Sequence, residues 1–244
     1  MPVISETHLL PEPLLPVGTP TDVDNVALAS VLSSLTGQPA QERLAKIARY
    51  MEAHPTSAWQ PSLLVNAGLL LLRDGFHSRA AFDFQGAWNL SKGDTTAAGI
   101  AIADRAIGEL LSLEARQGHR EALERLLRDL GARELTGAAT EQLSGAKQAL
   151  WVMQHAPEEV FRCGPYALAQ MMAALRGTVD TRVMMTRTSA RGISLKSLSE
   201  LSARNGFQVV PIRRESGDEI PIPSVVHLTS EHFAAVVRRD GPRR

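Results

Sequence analysis

From Asp22 to Met153 the sequence keeps one apolar periodicity, and this periodicity limits what the first part of the chain can fold into. Apolar residues recur every three or four positions, alanine and leucine dominate, and β-branched runs are scarce. Short polar breaks interrupt the pattern at TGQP, AHPTSAWQP, RDGFHS, SKGD, RQGHR and TGA. The segments between the breaks have the length of helices in packed hairpins, so residues 22–153 are predicted to form an all-α region.

One stretch of this region, SLLVNAGLLLLRDGFHSRAAFDFQGAWNL, predicts a close helical hairpin. Gly68 falls where the first helix needs a small residue against its partner, and Gly75 makes the turn. Further apolar residues line the two inner faces: Leu64, Leu71, Ala80, Phe84 and Ala87. The stretch resembles one tetratricopeptide repeat, and the resemblance implies a concave surface for a peptide or protein partner.

A second, weaker copy of this pattern is LLSLEARQGHREALERLLRDL, in which Gly118 lies 43 residues after Gly75. Tetratricopeptide repeats recur about every 34 residues, and a free-standing repeat array needs about three of them. A plain helical bundle that supports the rest of the chain therefore remains the alternative to a partner-binding surface.

The residues before the helical region, 1–21, contain repeated prolines and no basic start. They predict a flexible proline-rich leader rather than a signal peptide. No apolar run reaches the ~20 residues needed to span a bilayer, so no membrane span is expected. The compartment stays open between the cytoplasm, as the default, and export as part of a larger protein.

Charge and cysteine content exclude several classes of protein. Lys+Arg and Asp+Glu both number 26, so the net charge is zero and nucleic acid is not an expected partner. A single cysteine excludes an internal disulfide framework. The seven histidines lack the spacing of a zinc site, and neither a metal nor another cofactor is predicted.

After Pro157 the pattern changes to that of a mixed domain, predicted to span residues 154–244. One helix is predicted from Cys163 to Arg176, and a second in SLKSLSELSARNG, with Ser194 as its N-cap. Three strand-like runs follow: FQVVPIR at 207–213, SVVHL at 224–228 and HFAAVVRR at 232–239. Two helices followed by an antiparallel meander predict an α+β domain.

Cys163, the only cysteine, is placed at the start of a predicted helix. Unpaired backbone N–H groups and the positive end of the helix dipole stabilise a thiolate there. Gly164 permits close approach of a substrate backbone, Pro165 loses no hydrogen bond in the first turn, and Arg162 adds a positive charge. The alternative is that Cys163 is a small buried apolar side chain without chemistry.

The order of motifs in the last third of the chain resembles the papain-like bacteriocin-processing cysteine peptidases, which cut after a double-glycine leader. The matching pieces are CGPYALAQMMAALRG, GISLKSLSELSARNGFQVVPIR, PIPSVVHL and EHFAAVV. By this resemblance Cys163 is the nucleophile and His232, 69 residues later, is the general base. The resemblance also implies a papain-like fold with an antiparallel sheet and a peptide or protein substrate.

Two other residues enter through the same resemblance. His227 is the rival base, although the family pattern also has a non-catalytic histidine near this point, so His232 is preferred. The family has a glutamine about six residues before its cysteine, whose amide stabilises the oxyanion. Pro157 occupies that position here, and Gln154, nine residues before Cys163, is the candidate replacement.

The third member of the catalytic set is not evident. Asp240 lies eight strand residues after His232, roughly 26 Å away at ~3.3 Å per residue, and cannot orient its ring. RRDGPRR instead predicts a hairpin turn at Asp240-Gly241. By the resemblance the family's aspartate lies on the returning strand, about five residues beyond Arg244, so the domain is expected to be truncated.

Three functions therefore remain open for the C-terminal domain. The preferred one is a papain-like cysteine peptidase carried on a helical interaction scaffold. The second is a catalytically degenerate peptidase-like interaction module, which the missing third residue favours. The third is a transglutaminase-like acyl transferase, because those enzymes share the order of cysteine, histidine and aspartate.

Overall fold

The structure is a computed structural model, and it describes residues 9–189, 192–215, 217–229 and 232–239. The chain divides into two compact units, residues 1–147 and residues 148–244. The boundary falls inside a helix, six residues before the boundary at 154 that the sequence predicts. The described residues are mostly helical, with a small antiparallel sheet near the C-terminal end.

The first unit is built from helices, as the periodicity of residues 22–153 predicts. The helices are α1 (Asp22–Ser33), α2 (Ala40–Ala53), α3 (Gln60–Arg73), α4 (His77–Ser91), α5 (Ala97–Gln117), α6 (Arg120–Leu130) and α7 (Ala138–His155), the last of which crosses the unit boundary. Side-chain caps start two of them: the hydroxyl of Thr21 accepts from the N–H of Asp24, and that of Thr96 from the N–H of Gly99. None of the helices in the described residues combines the length and apolarity needed to cross a bilayer.

The hairpin of α3 and α4 is the closest helix pair of this unit. A Cβ atom added to Gly68 would lie 2.6 Å from the ring of Phe84, whose side chain is fully buried. Gly75 makes the turn between the helices with φ of +84°. The predicted packing of Gly68 against the second helix is therefore confirmed, whereas the likeness to a tetratricopeptide repeat stays a prediction.

The prediction of a flexible leader over 1–21 is wrong for the part that the structure describes, residues 9–21. Leu14 is fully buried and belongs to one core with residues of α1, α2 and α3. The backbone N–H of Glu12 donates to Oδ1 of Asn66 at 2.9 Å, and that of Leu15 to Oγ of Ser62 at 3.1 Å. Two buried polar side chains of α3 thus bind the extended segment, so it packs against the helices instead of moving freely.

The partly buried carboxyl of Asp83 on α4 is expected to make the stability of the first unit depend on pH. Burial raises the pKa of its carboxyl to about 6, against the opposing charge of Arg79. A raised pKa means that the folded state favours the protonated carboxyl over the carboxylate. The stabilisation that this provides is complete below pH 3.8, the unfolded-state pKa, and is lost as the pH rises through 6.

Asp83→Asn is therefore expected to raise the free energy of unfolding at pH 8 by on the order of 1–2 kcal/mol, since asparagine does not ionise in its partly buried site. The difference should shrink towards pH 4, where the carboxyl is largely protonated. Urea denaturation at both pH values measures it. Glu134→Gln, at an exposed position, is the control and should change nothing, and equal stability of Asp83→Asn and wild type at pH 8 would refute the expectation.

The second unit contains four further helices in its described residues and one two-stranded sheet. The helices are α8 (Pro157–Val160), α9 (Cys163–Arg176), α10 (Thr181–Met184) and α11 (Leu195–Arg204), and the strands are β1 (Ser224–His227) and β2 (Phe233–Val236). Both predicted helices are confirmed: α9 has the predicted bounds, and the hydroxyl of Ser194 caps α11 by accepting from the N–H of Ser197. The core of the unit packs α9 against α11 and the sheet through Leu168, Met172, Leu198, Leu201 and Phe233.

The sheet is smaller than the predicted meander. β1 and β2 pair antiparallel, with His227 opposite Phe233. The predicted strand at 207–213 is wrong, because the structure assigns no strand there: Val209 packs against the core, but Val210 is 81% exposed and no described strand runs beside the segment. The predicted turn at Asp240-Gly241 lies outside the described residues.

Candidate Cys–His site

Cys163 is the first residue of α9, the helix on which the core of the second unit is built. Its side chain is partly buried. No side chain caps this helix, since the N-cap is Arg162, whose guanidinium Nε donates to the carbonyl oxygen of Glu158 instead. The sulfur therefore lies at a helix N-terminus whose positive end is not neutralised by an acidic first turn.

Gly164 allows the start of α9 to lie close to two other segments of the same chain, those that carry Ile193 and Phe233. A Cβ atom at this position would overlap the Cγ2 methyl group of Ile193 and lie 3.4 Å from the ring of Phe233. A larger residue would push α9 away from both neighbours. The glycine that the sequence assigns to substrate approach thus has a packing role as well.

His232 lies immediately before β2, where the chain returns from β1. Its carbonyl oxygen accepts a hydrogen bond of 2.9 Å from the N–H of Leu228, which fixes the backbone at this point. The side chain is partly buried and lies near enough to Cys163 for the two groups to shift each other's pKa. The structure therefore brings together two side chains that are 69 residues apart in the sequence.

The surroundings of the sulfur favour its charged form. Burial raises the pKa of the Cys163 thiol, but four effects oppose it: the hydrogen bond to His232, the backbone N–H of Phe233, the charge of the imidazole and the backbone N–H of Gly164. Together these outweigh burial and hold the pKa of Cys163 below its ordinary value.

The imidazole shifts in the complementary direction. The hydrogen bond to Cys163 raises the pKa of His232, burial lowers it, and the charge of the sulfur raises it further, so the net shift is upward. A lowered thiol pKa and a raised imidazole pKa both favour the thiolate–imidazolium pair. That pair is the reactive form of a cysteine nucleophile with a histidine base.

His227, the rival base of the sequence analysis, occupies a different place in the hairpin. Its ring is exposed and stacks on the ring of Phe233, with centroids 4.3 Å apart and planes inclined by 19°. The imidazole that shifts the pKa of Cys163 is that of His232, whereas His227 stacks on Phe233, the residue after His232.

Gln154 lies in the last turn of α7 with its side chain exposed, and α8 follows it before Cys163. Its assignment to the oxyanion stays a prediction. Sequence reasoning missed the backbone N–H of Phe233 as a donor to the sulfur. Every residue except proline carries a backbone N–H group, so the sequence does not mark this one as special. The only signal for it is the position of Phe233 directly after His232.

Among the described residues, no group of three or more His, Cys, Asp or Glu side chains is arranged to hold a metal ion. The comparisons with known proteins add no relative: no family model, no curated protein and no solved structure matches this chain. The chemistry of the Cys163–His232 pair therefore has to be argued from its geometry.

Proposed function

We propose that residues 148–244 form a papain-like cysteine peptidase domain that hydrolyses peptide bonds, carried on a helical scaffold for protein partners. The observation that carries the proposal is that the structure brings the Cys163 and His232 side chains together at the start of α9, where each shifts the pKa of the other. A buried cysteine without chemistry needs neither a histidine partner nor a lowered pKa. The pair instead matches the nucleophile and base of a two-step acyl transfer.

In the first step the Cys163 thiolate attacks the carbonyl carbon of a peptide bond. The C–N bond breaks, the imidazolium of His232 gives its proton to the departing amine nitrogen, and a thioester forms on the sulfur. In the second step water attacks the thioester carbon while His232 accepts one of its protons. The C–S bond then breaks, which releases the carboxylic acid and restores the pair.

The negative charge on the substrate oxygen is stabilised at the helix start. The backbone N–H of Cys163 is one of the first N–H groups of α9, which have no partner within the helix. We assign it as the first oxyanion donor and the amide of Gln154 as the second, an assignment that follows the family resemblance. One such donor contributes ~10²–10³-fold to turnover.

Alkylation of the thiol tests the proposed pair without a known substrate. Wild-type protein is expected to react with iodoacetamide at a lower pH than an ordinary thiol does, because the pKa of Cys163 lies below its ordinary value. His232→Ala should slow the reaction and move its pH dependence upwards, since it removes the imidazole that lowers the pKa of the thiol. Mass spectrometry over a pH series measures the rate.

His227→Ala is the matched control, because it removes an imidazole from the same hairpin that is not the one that shifts the pKa of Cys163. Its alkylation rate should stay within twofold of wild type. Labelling of wild type only after denaturation would overturn the proposal in favour of a degenerate, sealed cysteine. An equal loss of rate in both histidine variants would show that the hairpin as a whole, rather than His232, supports the thiolate.

A further inference from the structure

The first turn of α9 carries a large aromatic side chain on its solvent side. Tyr166 is 42% exposed, whereas the two residues that follow it, Ala167 and Leu168, are buried in the core of the second unit. The hydroxyl of Tyr166 makes no hydrogen bond within the part of the chain that the structure describes. Neither core packing nor a polar contact of the hydroxyl therefore accounts for an aromatic ring at this position.

Helix geometry places this ring beside the thiol. Residues three apart in a helix lie on the same face, with their Cβ atoms about 5–6 Å apart, and this is the spacing of Cys163 and Tyr166. The turn is regular, because the N–H of Tyr166 donates to the carbonyl oxygen of Arg162 at 3.0 Å. Helical side chains lean towards the N-terminus, so the ring lies over the turn that Cys163 begins. A group attached to the sulfur is within reach of the ring.

A second exposed apolar side chain lies at the same helix start. Met185, the residue after α10, is 61% exposed. Nη1 of Arg162, the residue directly before Cys163, lies 3.8 Å from Sδ of Met185. Nε of the same guanidinium donates to the carbonyl oxygen of Glu158 at 2.9 Å, which fixes its direction. Arg162 therefore holds the thioether of Met185 close to the first turn of α9.

The two side chains together narrow the choice of ligand. A single exposed apolar side chain needs no explanation. Tyr166 and Met185 come from different segments, however, and they meet beside the only thiol of the chain. An aromatic ring packs well on another ring, and a thioether makes favourable contacts with ring edges. An aromatic group next to the sulfur therefore makes use of both side chains.

We propose that Tyr166 and Met185 form an aromatic subsite, which holds an aromatic side chain of the peptide substrate next to the bond that Cys163 attacks. The inference rests on the proposed peptidase function and adds the class of its substrate. Tyr166 and Met185 bind the substrate and take no part in breaking the bond. The aromatic subsite therefore determines which thiol-directed compounds react fastest, whereas the Cys163–His232 pair determines whether the thiol reacts at all.

Two alkylating reagents with the same reactive group test the aromatic subsite on the full chain. Iodoacetamide needs only the thiolate, whereas N-benzyliodoacetamide also carries a phenyl ring a few bonds from the reacting carbon. The measured quantity is the rate constant of the benzyl reagent divided by that of iodoacetamide, followed by mass spectrometry of Cys163, with glutathione as the reference thiol. This ratio removes any change in the reactivity of the thiol itself. In wild type it should exceed the glutathione ratio by about 10-fold or more, because the phenyl ring leaves water.

Variants of the subsite should change this ratio in a defined order. Tyr166→Ala is expected to lower it at least about fivefold and Met185→Ala at least about twofold, because each removes one side of the contact with the ring. Tyr166→Phe keeps the aromatic face and should retain the ratio within about twofold. Gln170→Ala, at an exposed position one turn further along α9, is the matched control and should also stay within about twofold.

The outcomes separate this inference from the proposed function. A wild-type ratio equal to that of glutathione would overturn the aromatic subsite, and so would a high ratio that survives both Tyr166→Ala and Met185→Ala. A loss in Gln170→Ala as large as in Tyr166→Ala would also overturn it, since the cause would then be a general disturbance of α9. If the folded wild type is inert to both reagents, the proposed function itself fails, and this inference fails with it.

Discussion

Cys163→Ala is expected to abolish the peptide-bond hydrolysis proposed for this protein, and His232→Ala to lower its kcat by about 10³–10⁴-fold. The first change removes the atom that forms the thioester. The second removes both the base that maintains the thiolate and the acid that protonates the leaving amine, and it leaves a sulfur whose pKa returns towards its ordinary value. Initial rates on a mixture of internally quenched peptides measure both losses.

The pH dependence of this activity follows from the two shifted groups. Activity should rise with pH through the lowered pKa of Cys163, as the thiolate forms, and fall through the raised pKa of His232, as the imidazolium is lost. The alkaline limb should therefore lie above the ordinary histidine pKa of 6.5.

His227→Ala is the control and should keep kcat within about threefold of wild type, because it removes a ring that covers Phe233 from the outside. Folding of each variant is checked by circular dichroism. Hydrolysis that survives Cys163→Ala would contradict the mechanism. If an added primary amine is incorporated into the peptide faster than the peptide is hydrolysed, the pair serves acyl transfer instead.

The helices of both units could be predicted because their signals are local. α9 begins and ends at the predicted residues, since Pro165 fits a first turn and Gly177 adopts φ of +75° after the last. The packing of Gly68 against the second helix could likewise be predicted from the pattern of one hairpin. Such features depend on residues close together in the sequence.

The errors concern interactions between distant residues. Prolines in 9–21 suggest a loose leader, but Ser62 and Asn66 of α3 accept its N–H groups, and no pattern within the segment indicates them. Residues 207–213 are rich in β-branched residues, as strands are, yet this composition does not provide a strand to pair with. A strand also needs a paired neighbour, and the described residues provide none there.

In the candidate site, too, local features could be predicted from the sequence and contacts between distant residues could not. The sequence could place Cys163 at a helix start, but it could not bring His232 to it, because that contact depends on how the hairpin of β1 and β2 packs on α9. The resemblance of motif order supplied the pair. Neither the local sequence pattern nor the resemblance of motif order could predict the role of the Phe233 N–H, since a backbone donor has no signature in the sequence.

Gly68→Leu is expected to unfold the first unit or to lower its free energy of unfolding by more than about 4 kcal/mol. Even a Cβ atom at this position lies 2.6 Å from the ring of Phe84, and that ring is fully buried. Overpacking of this kind costs about 1–3 kcal/mol for small insertions and more for a branched side chain. Thermal and urea denaturation, monitored by circular dichroism, measure the loss.

Gly145→Ala separates this steric cost from the general effect of replacing a helical glycine. No atom lies within 4 Å of a Cβ built at Gly145 in α7, so alanine there should stabilise the protein by about 0.5–1 kcal/mol through its higher helix propensity. Gly68→Ala gains the same propensity but should still destabilise. Adding Phe84→Leu to Gly68→Ala should make the combined loss smaller than the sum of the two single losses, because the smaller side chain relieves the overlap. Strict additivity of the two changes would show that the contact between α3 and α4 is not the cause.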